Sequence, residues 1–292
     1  MTAEPTVNVP SRPAGASPDG EPPASGARLA FFSSDGDDLV PADFASSPWG
    51  AVLHGRLIGG LTARAVEQAH ATDPDLMCSR LTIDMFRSAA LAPVQAVVKT
   101  IRAGRRIVVL EVTVEQGGGP IGQGKAVLLR RSEQPEGTFR TTPRWEAPTP
   151  LELGPPAVPA AGGHWTAPWE SWSAGPASPG APREGLWIRD VHPLVTGEPL
   201  TPLLRLSMAA DLASPVSFAS GDRGLNFINA DYTIYLGREP RGEYIGIQPY
   251  GHVSDRGVAV GQTVVHDLDG PVGFVATTAV ANAAMGRPQA GR

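Results

Sequence analysis

The 292-residue sequence predicts an α+β protein made of two copies of one unit, a central helix followed by an antiparallel meander. Three observations predict it. Apolar spacing follows the helical period over 54–69 and switches to strand alternation from about residue 80, and the same switch recurs after a second helix at 201–213. The turns recur as well: a Gly-Arg pair at Gly104 and Arg105 lies 15 residues before GPIG at Gly119, and an Arg-Gly pair at Arg256 and Gly257 lies 13 residues before GPVG at Gly270. Finally, 34 Gly and 30 Pro against 6% aromatics favour strands, turns and connections over long helical bundles.

Residues 1–28 are rich in Pro, Ala, Ser and Gly and too poor in bulky apolar side chains to offset the entropy of ordering, so a disordered tail is expected. The first unit spans 29–133. Its helix, HGRLIGGLTARAVEQA, carries Leu57, Leu61, Ala65 and Val66 on one stripe, and Gly59 with Gly60 allows another backbone to lie close. RLTIDMFRSAAL, VQAVVKTI, IVVLEVTVEQ and PIGQGKAVLLRR then read as four strands joined by short turns. Residues 134–180 form a Pro/Gly-rich linker expected to drape over the surface, pinned by Trp145, Trp165, Trp169 and Trp172. The second unit, 181–284, repeats the plan: a lead-in strand GLWIRDVHP, the 201–213 helix and four further strands, with a frayed tail at 285–292.

Charged residues make up 18% of the chain and the formal charge is −5, a balance that offers no basic surface for nucleic acid or anionic lipid. No apolar run reaches the length of a membrane span and the start lacks an export pattern, so a cytoplasmic protein is expected. The single cysteine, Cys78, has no partner motif and reads as core. Six scattered histidines lack the spacing of a metal site, and neither a metal nor a cofactor is expected.

Chemistry concentrates in LTPLLRLSMAADLAS. Thr201 is a good N-cap with Pro202 at the first helical position, and Asp211 falls on the face shared by Leu200, Leu204 and Met208. An aspartate there loses hydration and sits at the unfavourable end of the helix dipole. Either it tilts to the surface or caps a backbone amide, or it is a general base of raised pKa. GGGPIG at Gly117 to Gly122 and GPIGQGK at Gly119 to Lys125 mimic phosphate loops, but both lie in a strand-to-strand turn where no helix N-terminus can face the anion. No G-x-S-x-G elbow occurs.

With HGRLIGGLTARA and RAGRR in the first half, and MAADLAS, NADYTIYLGREPRGEYIG and DLDGPVGF in the second, the sequence resembles the acyl-CoA thioesterase II type of tandem (double) hotdog thioesterases, actinobacterial relatives included. The resemblance covers about 29–133 and 185–282. It implies a double hotdog fold and hydrolysis of an acyl-CoA by a water held by an aspartate, a threonine and a glutamine. Asp211 matches the aspartate; Asn229 stands at the threonine position and Thr278 at the glutamine position. Arg105, Arg106 and Arg256, with Arg238, are turn arginines expected either to meet CoA phosphates or to be solvated. Asp231, in the strand across from the helix, is the competing carboxylate, read first as a structural anchor at a strand start, and Glu67 reads as a solvated counterpart of Asp211 in the first half. The acyl chain is expected in an apolar tunnel beside the second helix, in a homo-oligomer, a dimer of double hotdogs. A non-catalytic acyl-CoA or acyl-carrier binding protein is the alternative, and a dehydratase using Asp190 and His192 a third reading.

Overall fold

The computed structural model describes residues 29–156, 165–175, 184–220 and 224–282. The expected disordered tail at 1–28 and frayed tail at 285–292 lie outside the described residues, as do 157–164 and 176–180 of the linker. Helix α1 (Gly55–His70) starts where expected, with the His54 Nδ1 accepting the Arg56 amide at 3.3 Å as N-cap. It buries Leu57, Ile58, Leu61, Ala65 and Val66 against the meander β1 (Leu76–Met85), β2 (Gln95–Ala103), β3 (Ile107–Gln116) and β4 (Gly119–Arg130). Gly117 and Gly118, at φ 60° and 77°, make the β3–β4 hairpin turn.

Within the expected linker, Trp169–Ser173 is not a draped segment but a strand, β5, paired with the lead-in strand β6 (Leu186–Asp190). The tryptophans do pin the connection: Trp145 stacks on Trp187 at 5.4 Å, and the Trp172 indole N–H donates to Gly154 O at 2.8 Å.

In the second half α2 (Pro202–Ala210) stops three residues short of the expected end, and α3 (Ala213–Phe218) follows after a break at Asp211 and Leu212. Pro215 accounts for the break, because it has no N–H to return to the Asp211 carbonyl and its ring crowds that oxygen. The strands that complete the main sheet are β7 (Phe227–Asn229), β8 (Asp231–Leu236), β9 (Tyr244–Asp255), β10 (Val258–Asp267) and β11 (Gly270–Ala281).

These eleven strands form one antiparallel sheet in the order β2-β3-β4-β1-β8-β11-β10-β9-β6-β5, with β7 added to β11, while Phe32–Asp35 with Asp38–Pro41, Ser46–Ser47 with Gly50–Leu53 and Ala219–Ser220 with Gly224–Leu225 make short two-stranded pairs outside it. The halves fuse where β1 meets β8; Thr82 lies opposite Thr233 and their hydroxyls hydrogen-bond at 3.1 Å. The sheet wraps α1 and α2, which pack on each other inside it. Close packing of the helices depends on Gly59: a Cβ there would collide with the Tyr232 hydroxyl, which donates to Ser207 O of α2 at 2.9 Å. This is the α+β double hotdog architecture. Among the described residues no helix is long and apolar enough to cross a membrane.

Candidate active site

The helix break exposes Asp211 to a cleft while leaving it buried by every neighbouring element. Its carboxylate Oδ1 accepts the Asn229 carboxamide N–H at 2.9 Å, and Oδ2 lies 3.8 Å from His54 Nδ1. A Cβ added to Gly55, the first residue of α1, would stand 3.8 and 3.9 Å from the two carboxylate oxygens. Asp211 therefore sits at the C-terminal end of α2, where the dipole disfavours it, and against the N-terminal end of α1, where the dipole favours it. Burial raises its pKa; the Asn229 hydrogen bond and the Arg56 charge pull the other way.

His54 stays neutral. Burial, with Arg56 adding to it, lowers its pKa to about 3, so the contact with Asp211 is not an ion pair. Because Nδ1 accepts the capping amide, the proton is assigned to Nε2. Trp165 and Trp169 pack on the imidazole with ring centroids 5.9 and 5.6 Å away.

Arg56 holds this corner together. Fully buried, it donates from Nη2 to Asp190 Oδ1 at 2.7 Å and from Nε to Met208 O at 3.3 Å, and its guanidinium lies 4.4 Å over the Trp169 ring. One side chain thus ties the start of α1 to β6 and to the last turn of α2, three residues before Asp211.

The cleft encloses about 260 Å³. Val52, Leu53, Ile58 and Met85 make its apolar wall, Asp211, Asn229, His54 and Gly55 its polar end, and Trp49, Phe86 and Arg87 its rim.

Of the residues expected at the site, Asp211 and Asn229 come together and Thr278 does not. The Thr278 hydroxyl is bound to Asp231 Oδ2 at 2.7 Å and its amide to Asp231 Oδ1 at 2.8 Å, on the exposed outer face of the sheet. Its neighbour Thr277 is the buried, inward residue. Strand alternation has period two, so a count wrong by one reverses the face. Asp231 is the anchor it was expected to be.

Arg105 and Arg106 are exposed on the β2–β3 turn, whose backbone carbonyls bind Arg130 beside Asp73 at the far end of α1. With 16 residues, α1 is about 24 Å long, so the structure does not bring them to the cleft. Arg256, at 93% side-chain exposure on the β9–β10 turn, is also outside it, and Arg238 is paired with Asp267 at 2.8 Å. Glu67 is not solvated: it accepts the Thr201 hydroxyl at 2.8 Å, and burial raises its pKa to about 7. Asp190 is committed to Arg56, while His192 Nδ1 contacts Leu29 O at 2.9 Å, so the dehydratase pair is not assembled. Among the described residues no three His, Cys, Asp or Glu side chains gather around a common point.

Sequence reasoning missed His54, Gly55, Arg56 and Arg87. For the first two a signal existed, a polar residue that can cap immediately before an apolar helix; for the arginines none did.

Two family models match in tandem, the acyl-CoA thioesterase N-terminal domain over residues 45–129 and the acyl-CoA thioesterase C-terminal domain over residues 142–281. Among solved structures, one described as a thioesterase II from Thermobifida fusca is similar at 15% identity and TM-score 0.63, covering 84% of this chain and 93% of its own. A thioesterase-like protein from Novosphingobium aromaticivorans matches at 16% and 0.62, covering 88% and 99%. The tesB protein of Mycobacterium avium subsp. paratuberculosis matches at 16% and 0.57, covering 87% and 94%. These likenesses show the fold, and they reach beyond actinobacteria, so no single branch is marked out. Among curated proteins none matches at a significant level. With both domain models met in order across most of the described fold, the chain belongs to the acyl-CoA thioesterase family of TesB-like tandem hotdog proteins.

Proposed function

We propose that the protein is an acyl-CoA thioesterase in which Asp211 is the general base. The observation that carries this reading is the buried Asp211 carboxylate, of raised pKa, bonded to Asn229 and opening on a cleft against the N-terminus of α1. Asp211 takes a proton from a water as the water oxygen attacks the thioester carbonyl carbon. Negative charge then develops on the carbonyl oxygen. Of the first amides of α1, that of Arg56 is held by His54 Nδ1 and that of Leu57 by the His54 carbonyl, so the amide of Gly55, at the helix start beside Asp211, is the donor assigned to the oxyanion. Collapse breaks the C–S bond; the thiolate leaves and receives the proton from Asp211, and the free acid remains. Asn229 fixes the carboxylate and the apolar wall holds the first carbons of the acyl group.

A dimer joined edge to edge belongs to the same reading. It is supported by strand β2, an open edge of nine residues with Val97 and Ile101 exposed.

Thiol release from a series of acyl-CoA esters tests the activity. Hydrolysis by the wild-type protein, lost in Asp211→Asn with the fold intact, is expected. CoA-ester binding without thiol release would instead favour the non-catalytic reading.

A further inference from the structure

A CoA ester brings more than a thioester: an adenine and several phosphate charges must rest somewhere outside a cleft of about 260 Å³, on a chain whose own formal charge is −5. Arg87 is the one permanently cationic side chain among the cleft-lining residues, since Lys is absent from the lining and His54 is neutral. No carboxylate pairs with it among the described residues. Its Nε donates to Pro120 O at 3.2 Å, and its Nη2 to Gln116 O at 3.2 Å and Gly119 O at 3.4 Å, so the β3–β4 turn holds the guanidinium in place from one side. Those bonds use Nε and Nη2, and among the described residues none is made by Nη1. The glycine turn that mimics a phosphate loop in sequence thus serves as a carbonyl cradle for an arginine. Beside Arg87, Phe86 and Trp49 are 52% and 54% exposed, large apolar rings turned to solvent at the same rim.

We propose that this rim is the site for the nucleotide end of CoA, with Arg87 on a phosphate and the exposed rings of Trp49 and Phe86 against the adenine, in place of the turn arginines Arg105, Arg106 and Arg256. A planar guanidinium held on one edge is preorganised to receive phosphate oxygens on the other, and an aromatic face accepts a base by stacking. The inference rests on the thioesterase reading for the identity of the ligand, but not for its test.

The test compares wild type with Arg87→Gln, Arg87→Lys and the double variant Arg105→Gln/Arg106→Gln, using two measurements. The first is calorimetric binding of CoA alone. Arg87→Gln is expected to weaken it at least about fivefold, Arg87→Lys to restore most of the loss, and the double variant to leave it unchanged, with the effect shrinking at 0.5 M salt. The second is hydrolysis of an acyl-CoA against the same acyl group on N-acetylcysteamine, which has no nucleotide. Arg87→Gln should raise KM for the first and leave the second unchanged. Equal losses on both substrates, CoA affinity unchanged in Arg87→Gln, or no CoA binding by the wild type would each overturn the site. If the wild type binds CoA through Arg87 yet hydrolyses neither thioester, the thioesterase reading fails while the nucleotide site stands.

Discussion

The Asn229 carboxamide reaches across from β7 to donate to Asp211 Oδ1 at 2.9 Å, the shortest polar contact the buried carboxylate makes. That bond favours the ionised form, against a burial effect that disfavours it. Removing it, as in Asn229→Leu, raises the Asp211 pKa further. Since the base acts when deprotonated, the acid limb of the pH–rate profile should move to higher pH and kcat at neutral pH should fall about tenfold or more. A rate profile measured from pH 4 to 9 checks both.

Asp211 also carries a stability cost. Its folded pKa is raised above the unfolded value, so its ionisation destabilises the fold; the penalty is absent below the unfolded pKa and grows as pH rises through and beyond it. Asp211→Asn should therefore raise the Tm at pH 8 and change it little at pH 4. Thermal unfolding at the two pH values decides it.

Arg56 joins three elements at the site from a fully buried position. Arg56→Ala strands the Asp190 charge and frees the Met208 carbonyl, and should cost about 3–5 kcal/mol. Arg56→Ala/Asp190→Ala should be less damaging than the two single losses added together, a coupling that urea unfolding of the four proteins measures.

Gly59 lies where α1 meets the Tyr232 hydroxyl and the Ser207 carbonyl. Gly59→Ala should destabilise by about 1–3 kcal/mol through overpacking. Adding Tyr232→Phe removes the colliding oxygen and should recover part of the loss; urea midpoints show whether it does.

Much of this fold is legible in the sequence because it is local. LIGGLTARAV has helical spacing and an apolar stripe, IVVLEVTVEQ alternates, and the Gly-Gly turn between β3 and β4 closes a hairpin with residues a few places apart. Asp211 is legible for the opposite reason, as a charge where the pattern demands an apolar side chain. The end of α2 is misjudged because Pro215 acts four residues back on a helix that otherwise reads well. Thr278 is misjudged because a strand count carries parity and a slip of one reverses the face. Arg56 is illegible: it meets Asp190, 134 positions on, and Met208, 152 positions on, and nothing next to it in the chain marks either contact. Arg87 is hidden in the same way, held by carbonyls about thirty residues away that any turn would carry.

The role of Asp211 as base is tested most directly by the steady-state kcat/KM for thiol release from an acyl-CoA, measured for wild type and Asp211→Asn at pH 8 alongside circular dichroism. A loss of about 100-fold or more with unchanged spectra is expected. A variant within threefold of wild type would contradict it.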